Sequence, residues 1–119
     1  VELLTYCYKN KTPVVSSMGA ALRTDPLLIK IGDLFDVVNC QLSKQVRKRI
    51  TKRGVARGIS CVYSTEKVDF DHTKPLAFNE EPPSKEYGRK RKVLGSLPTI
   101  TGIFGLTIAD QAIKLLTKD

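Results

Sequence analysis

The chain has 119 residues, 41% of them hydrophobic and 27% charged, which suits one soluble domain with a modest core. Twenty Lys and Arg against twelve Asp and Glu leave a net charge of +8, a balance that favours polyanionic partners: nucleic acid or an acidic membrane surface. Cys7, Cys40 and Cys61 are odd in number and form no CxxC pair, so neither a disulfide framework nor a zinc site is suggested, and reduced thiols in an intracellular compartment fit best.

In chain order, Val1 to Asn10 reads as a helix already in progress. No Ser, Thr, Asp or Asn precedes it as a cap, and Lys9, Asn10 and Lys11 form a basic end, so the sequence reads as one whose N-terminal region is missing. A short strand follows over Pro13–Met18, with Gly19-Ala20-Ala21 as a tight exit. The turn pair Asp25-Pro26 introduces a second strand over Leu27–Leu34. Ser43 to Arg53 has helical spacing and stops at Gly54, a residue suited to a C-terminal cap. Gly58–Ser64, with its β-branched and aromatic residues, is a third strand.

Residues 65–92 form a long polar stretch with Pro75, Pro82 and Pro83, predicted as a partly mobile loop. His72 stands in it with only Asp69 and Asp71 nearby, a solvated cluster rather than a metal site. Ser96 or Leu97, followed by Pro98, opens a final helix to about Thr117, apolar around most of its circumference and therefore buried. Gly95, Pro98, Gly102 and Gly105 interrupt the apolar stretch Val93–Ala109, which is short for a membrane span. Gly102 and Gly105 would let the helix backbone lie close to a neighbour. The predicted domain is thus α/β and spans residues 1–119. Its small sheet has two edges, and it has little of its own with which to bury the last helix.

The densest chemical signal is cationic. Lys44, Arg47, Lys48, Arg49, Lys52, Arg53 and Arg57 fall in a region, Val37 to Thr65, that contains no acid. On a helical wheel Leu42, Val46 and Ile50 make a narrow apolar stripe, leaving the basic side chains as a ridge for phosphates. A second run, Lys85, Arg89, Lys90, Arg91 and Lys92, reads equally as a nucleic-acid contact or a solubilising linker. No Walker loop, no glycine-rich turn between a strand and a helix, and no Ser-His-Asp or Cys-His set is visible. Cys61 and Cys7 read as core. Cys40, just before the basic helix, is the one cysteine placed where a helix N-terminus and cations would lower a thiol pKa.

Three segments together resemble one family. Tyr6–Leu34 (YCYKNKTPVVSSMGAALRTDPLLIKIGDL), Gly58–Val68 (GISCVYSTEKV) and Val93–Leu116 (VLGSLPTITGIFGLTIADQAIKLL) are similar, in order, to the second half of ThiF-type, ubiquitin-activating-enzyme-like adenylating proteins. Within these they are most similar to the tRNA threonylcarbamoyladenosine dehydratases. The resemblance implies the C-terminal half of a Rossmann-like adenylating fold: a three-stranded mixed sheet, a basic helix and a buried C-terminal helix. It further implies an enzyme that uses ATP and Mg2+ to activate the carboxylate of threonylcarbamoyladenosine in tRNA, next to the anticodon, and closes the side chain into a ring with overall loss of water.

The implied partners are tRNA, the missing N-terminal half and a second copy in a homodimer. The implied compartment is the cytoplasm, or the mitochondrial outer membrane for a eukaryotic member. The family's ATP loop, phosphate-contacting basic residues and Mg2+-binding aspartate would all lie upstream of Val1, so the catalytic residues are unknown and no residue of this chain inherits an ATP or metal role. Met18, Gly19 and Arg23 follow the first strand at the edge where such folds place ligands and are the predicted active-site wall. Asp25 reads as a turn initiator. Some members carry a cysteine shortly before the glycine that opens the last helix. Here Arg91, Lys92, Val93 and Leu94 precede Gly95, so a cysteine-based step is not supported. Two rivals stand beside this reading: part of a sulfur-carrier or ubiquitin-like protein adenylating enzyme, and a non-catalytic basic RNA-binding module.

Overall fold

The structure, a computed structural model, describes residues 1–69 and 94–118. His72, the second basic run and most of the 65–92 loop lie outside the described residues. Two α-helices and two strands come first in sequence: α1 (Glu2–Lys9), β1 (Val15–Ser17), β2 (Ile29–Asp33) and α2 (Gln41–Thr51). β3 (Ser60–Ser64) and α3 (Pro98–Leu116) complete it.

The sheet order is β1-β3-β2. β3 runs parallel to β1, with Ser16 opposite Cys61, and antiparallel to β2, with Ile31 opposite Val62. The sheet is therefore mixed, as expected, and β3 is its central strand. Side chains alternate across it with the two-residue period of an extended chain. Cys61 and Tyr63 point into a cluster with Leu4, Leu34, Ile50, Val55 and Ile59. Val62 points the other way, into a smaller cluster with Ile100 and Phe104. With both faces covered, β3 reads as an unbroken buried run from Cys61 to Ser64. Burial also pushes the Cys61 thiol up to about 12, with the Asp33 charge adding to the shift, so Cys61 belongs to the core and is no nucleophile.

The elements are shorter than the sequence pattern suggests, and polar side chains trim them. The Asp25 carboxylate accepts from the Leu27 amide at 2.9 Å and starts a 3-10 turn, Pro26–Leu28, where strand was expected. Asp33 does the same for Leu34–Asp36 through the Phe35 amide at 2.8 Å, which ends β2. Both are side chain–backbone bonds that compete with the ladder. Asp25 is thus the turn initiator it was read to be. Gly32 in β2 leaves room for Tyr63: a Cβ there would lie 3.2 Å from the phenol oxygen.

α2 begins two residues before its expected start, because Cys40 caps it, its sulfur accepting from the Ser43 amide at 3.4 Å. Its buried face differs from the predicted Leu42–Val46–Ile50 stripe. Ser43 and Ile50 are fully buried, whereas Leu42 is 48% exposed. Ser43 can occupy the inner face because its hydroxyl donates to the Cys40 carbonyl at 2.8 Å. After the helix, Gly54 turns the chain with φ of +77°, the left-handed conformation that favours glycine.

α3 starts with Pro98 in its first turn, as expected. It lies against β1 and β3 through Ile100 and Phe104, 0% and 2% exposed, while Leu106, Ile113 and Leu116 are 74%, 60% and 86% exposed. The expectation of a buried helix therefore holds, within these residues, only for its first two turns. A Cβ at Gly102 or Gly105 would meet nothing within 4 Å, so the close neighbour those glycines suggest is not among the described residues. Because α3 continues past Ala109 to Leu116, it is long and apolar enough, by length and composition, to cross a membrane, which corrects its description as too short.

Ile100 and Phe104, with the half-buried Ile108 beside them, fasten nineteen residues of helix to the sheet. Phe104→Ala should therefore cost about 3 to 5 kcal/mol and release α3, as large-to-small core changes do. Denaturant unfolding of the intact protein, with Leu106→Ala as an exposed-face control, measures it.

Candidate functional site

The end of β1, the turn after it and the start of α2 enclose a cleft of about 540 Å³, and Lys67, Val68 and Leu94 complete its wall. Two of the three predicted wall residues, Gly19 and Arg23, line it, as do Lys44 and Arg47 from the predicted ridge. Met18 does not. It is 5% exposed, and its side chain belongs to the core cluster beneath.

Arg23 is the keystone of the cleft. It is 7% exposed, and its guanidinium donates from Nη1 to the Ala21 carbonyl and from Nη2 to the Asn39 carbonyl, both at 2.8 Å. It thereby ties the turn after β1 to the loop that caps α2. Asn39 in turn donates from Nδ2 to the Thr65 carbonyl at 2.8 Å, linking that loop to the exit of β3. Arg23 Nε is buried with no partner among the described residues. Leu22 and Asn39, on either side of the guanidinium, both hold positive φ, +63° and +53°. Asn tolerates this conformation. For Leu it is rare and costs of order 1 kcal/mol or more.

Glu66 closes the circuit. Its carboxylate accepts from the Thr24 amide at 2.9 Å, the Asp25 amide at 3.0 Å and the Thr24 hydroxyl at 3.1 Å. The Asp25 and Thr24 amides hold its carboxyl below the usual range, with a smaller contribution from Arg23. Sequence reading missed Glu66, which stands one residue into what looked like a featureless polar loop. The Glu-Lys pair directly after a strand was the only signal.

Cys40 lies at the floor of the cleft. A methyl group on Gly19 would sit 3.5 Å from its sulfur and 3.9 Å from Arg23 Nη1. Burial opposes ionisation of the Cys40 thiol, but the Ser43 and Gly19 amides and the Arg23 charge outweigh it and draw the thiol below its ordinary value.

The seven cations predicted as one ridge divide into two groups. Arg47 donates from Nη1 to the carbonyls of Leu34 and Val37, at 3.0 and 2.8 Å, and so holds the 3-10 turn before α2. Arg53 pairs with Glu2, and Arg57 pairs with Asp36. Lys44, Lys48, Arg49 and Lys52 are exposed and make no ion pair among the described residues. Lys44, Lys48 and Lys52 recur every fourth residue and share one stripe of α2, starting at the rim of the cleft.

Glu66→Ala should free the Thr24 and Asp25 amides, and hydrogen exchange at these two positions should accelerate at least tenfold. In the unsubstituted protein the same protection is fully present above the ordinary carboxylate value of 4.5 and is lost as pH falls through the lower folded value. Exchange rates at the two amides that follow neither the substitution nor acid would refute the role given to Glu66.

No protein-family model matches the chain. It is 38% identical over 121 residues to tRNA threonylcarbamoyladenosine dehydratase 1 of Saccharomyces cerevisiae, covering 99% of this chain and 28% of that protein. To the tRNA threonylcarbamoyladenosine dehydratase of Bacillus subtilis it is 29% identical, covering 100% of this chain and 46% of that protein. The fold superimposes on the Escherichia coli enzyme, solved in complex with AMP, with a TM-score of 0.71 at 28% identity, covering 94% of this chain and 41% of the other. The chain thus spans less than half the length of the relatives it matches. Helices and sheet are those of an α/β adenylating-enzyme fold, and by sequence and structure the chain is similar to part of the length of the tRNA threonylcarbamoyladenosine dehydratases.

Proposed function

We propose that this chain is part of an ATP-dependent tRNA-modifying enzyme that cyclises threonylcarbamoyladenosine, and that its share of the work is tRNA docking, subunit contact and one wall of the active site. The observation that carries this reading is the coincidence of a cationic stripe with a cleft at the carboxyl end of β1, in a fold whose relatives are named as dehydratases of tRNA threonylcarbamoyladenosine. The sulfur-carrier reading is not favoured, since those relatives carry the dehydratase name throughout. The basic RNA-binding module accounts for the stripe and leaves the cleft without a role.

ATP and Mg2+ would be held outside these residues. The Escherichia coli relative has been solved with AMP and with ATP. Among the described residues, however, no strand passes through a glycine-rich turn straight into an α-helix, and no three His, Cys, Asp or Glu side chains gather as a metal site. On this reading ATP binding falls to the part of the relatives' length that this chain does not span. The protein's place would be the cytoplasm, or the mitochondrial outer membrane in a eukaryotic member.

In tRNA docking, Lys48, Arg49 and Lys52 would contact the phosphate backbone, joined by Lys44 at the rim of the cleft. Arg47, Arg53 and Arg57 already serve the fold and are poor test positions, because their loss would disturb packing as well as charge. Lys48→Glu, Arg49→Glu and Lys52→Glu together should weaken tRNA binding by the intact protein at least tenfold. The same change should lower the slope of log affinity against log salt by about 2 to 3, roughly one for each lost phosphate contact. Unchanged affinity and slope would refute docking through α2, and nucleoside analysis of treated tRNA tests the dehydratase reading itself.

For the subunit contact, the exposed side of α3 is the surface in question. Leu106→Asp with Ile113→Asp should shift the intact protein from dimer towards monomer in sedimentation. A dimer insensitive to both would remove α3 from the interface.

A further inference from the structure

The cleft has features that neither the ridge nor the family reading requires. Arg23, Lys44, Arg47 and Lys67 line it, and no acidic residue does. The buried Arg23 guanidinium has no carboxylate paired with it among the described residues. Glu66, the acid whose field reaches it, spends its oxygens on Thr24 and Asp25. A buried cation without a counter-ion is costly, and here Nε–H is also unpartnered.

α2 adds a second positive element at the same place. The first amides of a helix have no intrahelical acceptor, and its N-terminus carries partial positive charge. No acid occupies the first turn of α2, and Lys44, one turn in, adds a cation where an acid would be favoured. Two kinds of donor thus line one cleft, together with the apolar side chains of Leu22, Leu42 and Leu94. At about 540 Å³ it can hold one phosphate together with an attached ring, within the usual range of ligand sites.

We propose that the cleft between Arg23 and the N-terminus of α2 binds a phosphate group, presented by one nucleotide of an RNA strand or by a free phosphate ion. The RNA source rests on the tRNA reading above; the phosphate chemistry does not. Arg23 and the α2 amides hold the anion from below, and Lys44 and Lys67 close on it from the rim.

The test uses the intact protein with inorganic phosphate, against chloride at equal ionic strength, in thermal melting. Phosphate should raise the melting temperature beyond chloride. Lys44→Glu with Lys67→Glu should weaken that phosphate affinity at least tenfold; both positions are exposed, and Lys44→Gln with Lys67→Gln should give a smaller loss in the same direction if the reversed charges disturb folding. A phosphate effect no larger than that of chloride, or one equal in both rim variants and the parent, overturns the proposal.

A short single-stranded oligoribonucleotide added as competitor separates the sources. Displacement of phosphate identifies the RNA backbone as the ligand. Phosphate binding that the oligomer leaves untouched supports the free ion and overturns the RNA source. The Lys48, Arg49 and Lys52 reversals provide the cross-check: a loss of tRNA affinity with the phosphate response intact separates docking on the ridge from binding in the cleft. Absence of the cyclised nucleoside in treated tRNA would count against the dehydratase reading while leaving the phosphate response to stand or fall by itself.

Discussion

Everything in this fold hangs on β3 being buried on both faces. A central strand of five residues, paired on both edges, can contribute to two cores only if alternate side chains serve opposite layers. Cys61 and Tyr63 serve one layer, and Val62 the other. That constraint puts α1 and α2 on one side and α3 on the other. It also aligns the carboxyl end of β1 with the exit of β3, because the two strands run parallel. The cleft forms there because the chain leaves both strands in the same direction and must be tied together by side chains.

The ties are unusual in being carried by charged groups acting on the backbone. Arg23 holds two carbonyls, Arg47 holds two more, and Glu66 holds two amides. Hydrogen bonds with one ionised partner are stronger than neutral ones, and where the partner is buried, as Arg23 is, they cost more when broken. Three connecting segments can therefore be ordered around one cleft. The left-handed Leu22 is tolerated in the same way, its strain being offset by the bonds on either side of it.

This also explains what the sequence could and could not convey. Strands and helices followed from hydrophobic periodicity and turn residues, because burial on a repeating face leaves a repeating pattern. Asp25 was legible as a turn initiator because its bond is local, two residues along the chain. Glu66 was not, since its partners lie about forty residues away. Arg47 looked like its neighbours Lys48 and Arg49, because composition cannot distinguish a guanidinium that reaches inward to carbonyls from one in water. The α2 stripe was misread at Leu42 for a related reason. Hydrophobicity alone places Leu inward and Ser outward, yet the Ser43 hydroxyl finds its acceptor one turn back and takes the buried position.

The two-layer arrangement separates two surfaces of different character. The free cations of α2 and the exposed apolar side of α3 are carried by helices on opposite faces of the sheet. A polyanion on one and an apolar partner on the other would not compete for space. Nor would they interfere electrostatically to any large extent, since exposed charges more than about 8 to 10 Å apart are screened at physiological salt. An apolar surface on α3 is costly in water, whereas the charged α2 stripe is well solvated. On the proposed function, the asymmetry suits a lasting contact through α3 and a reversible one through α2, whose first residues Gln41, Leu42 and Lys44 also line the cleft.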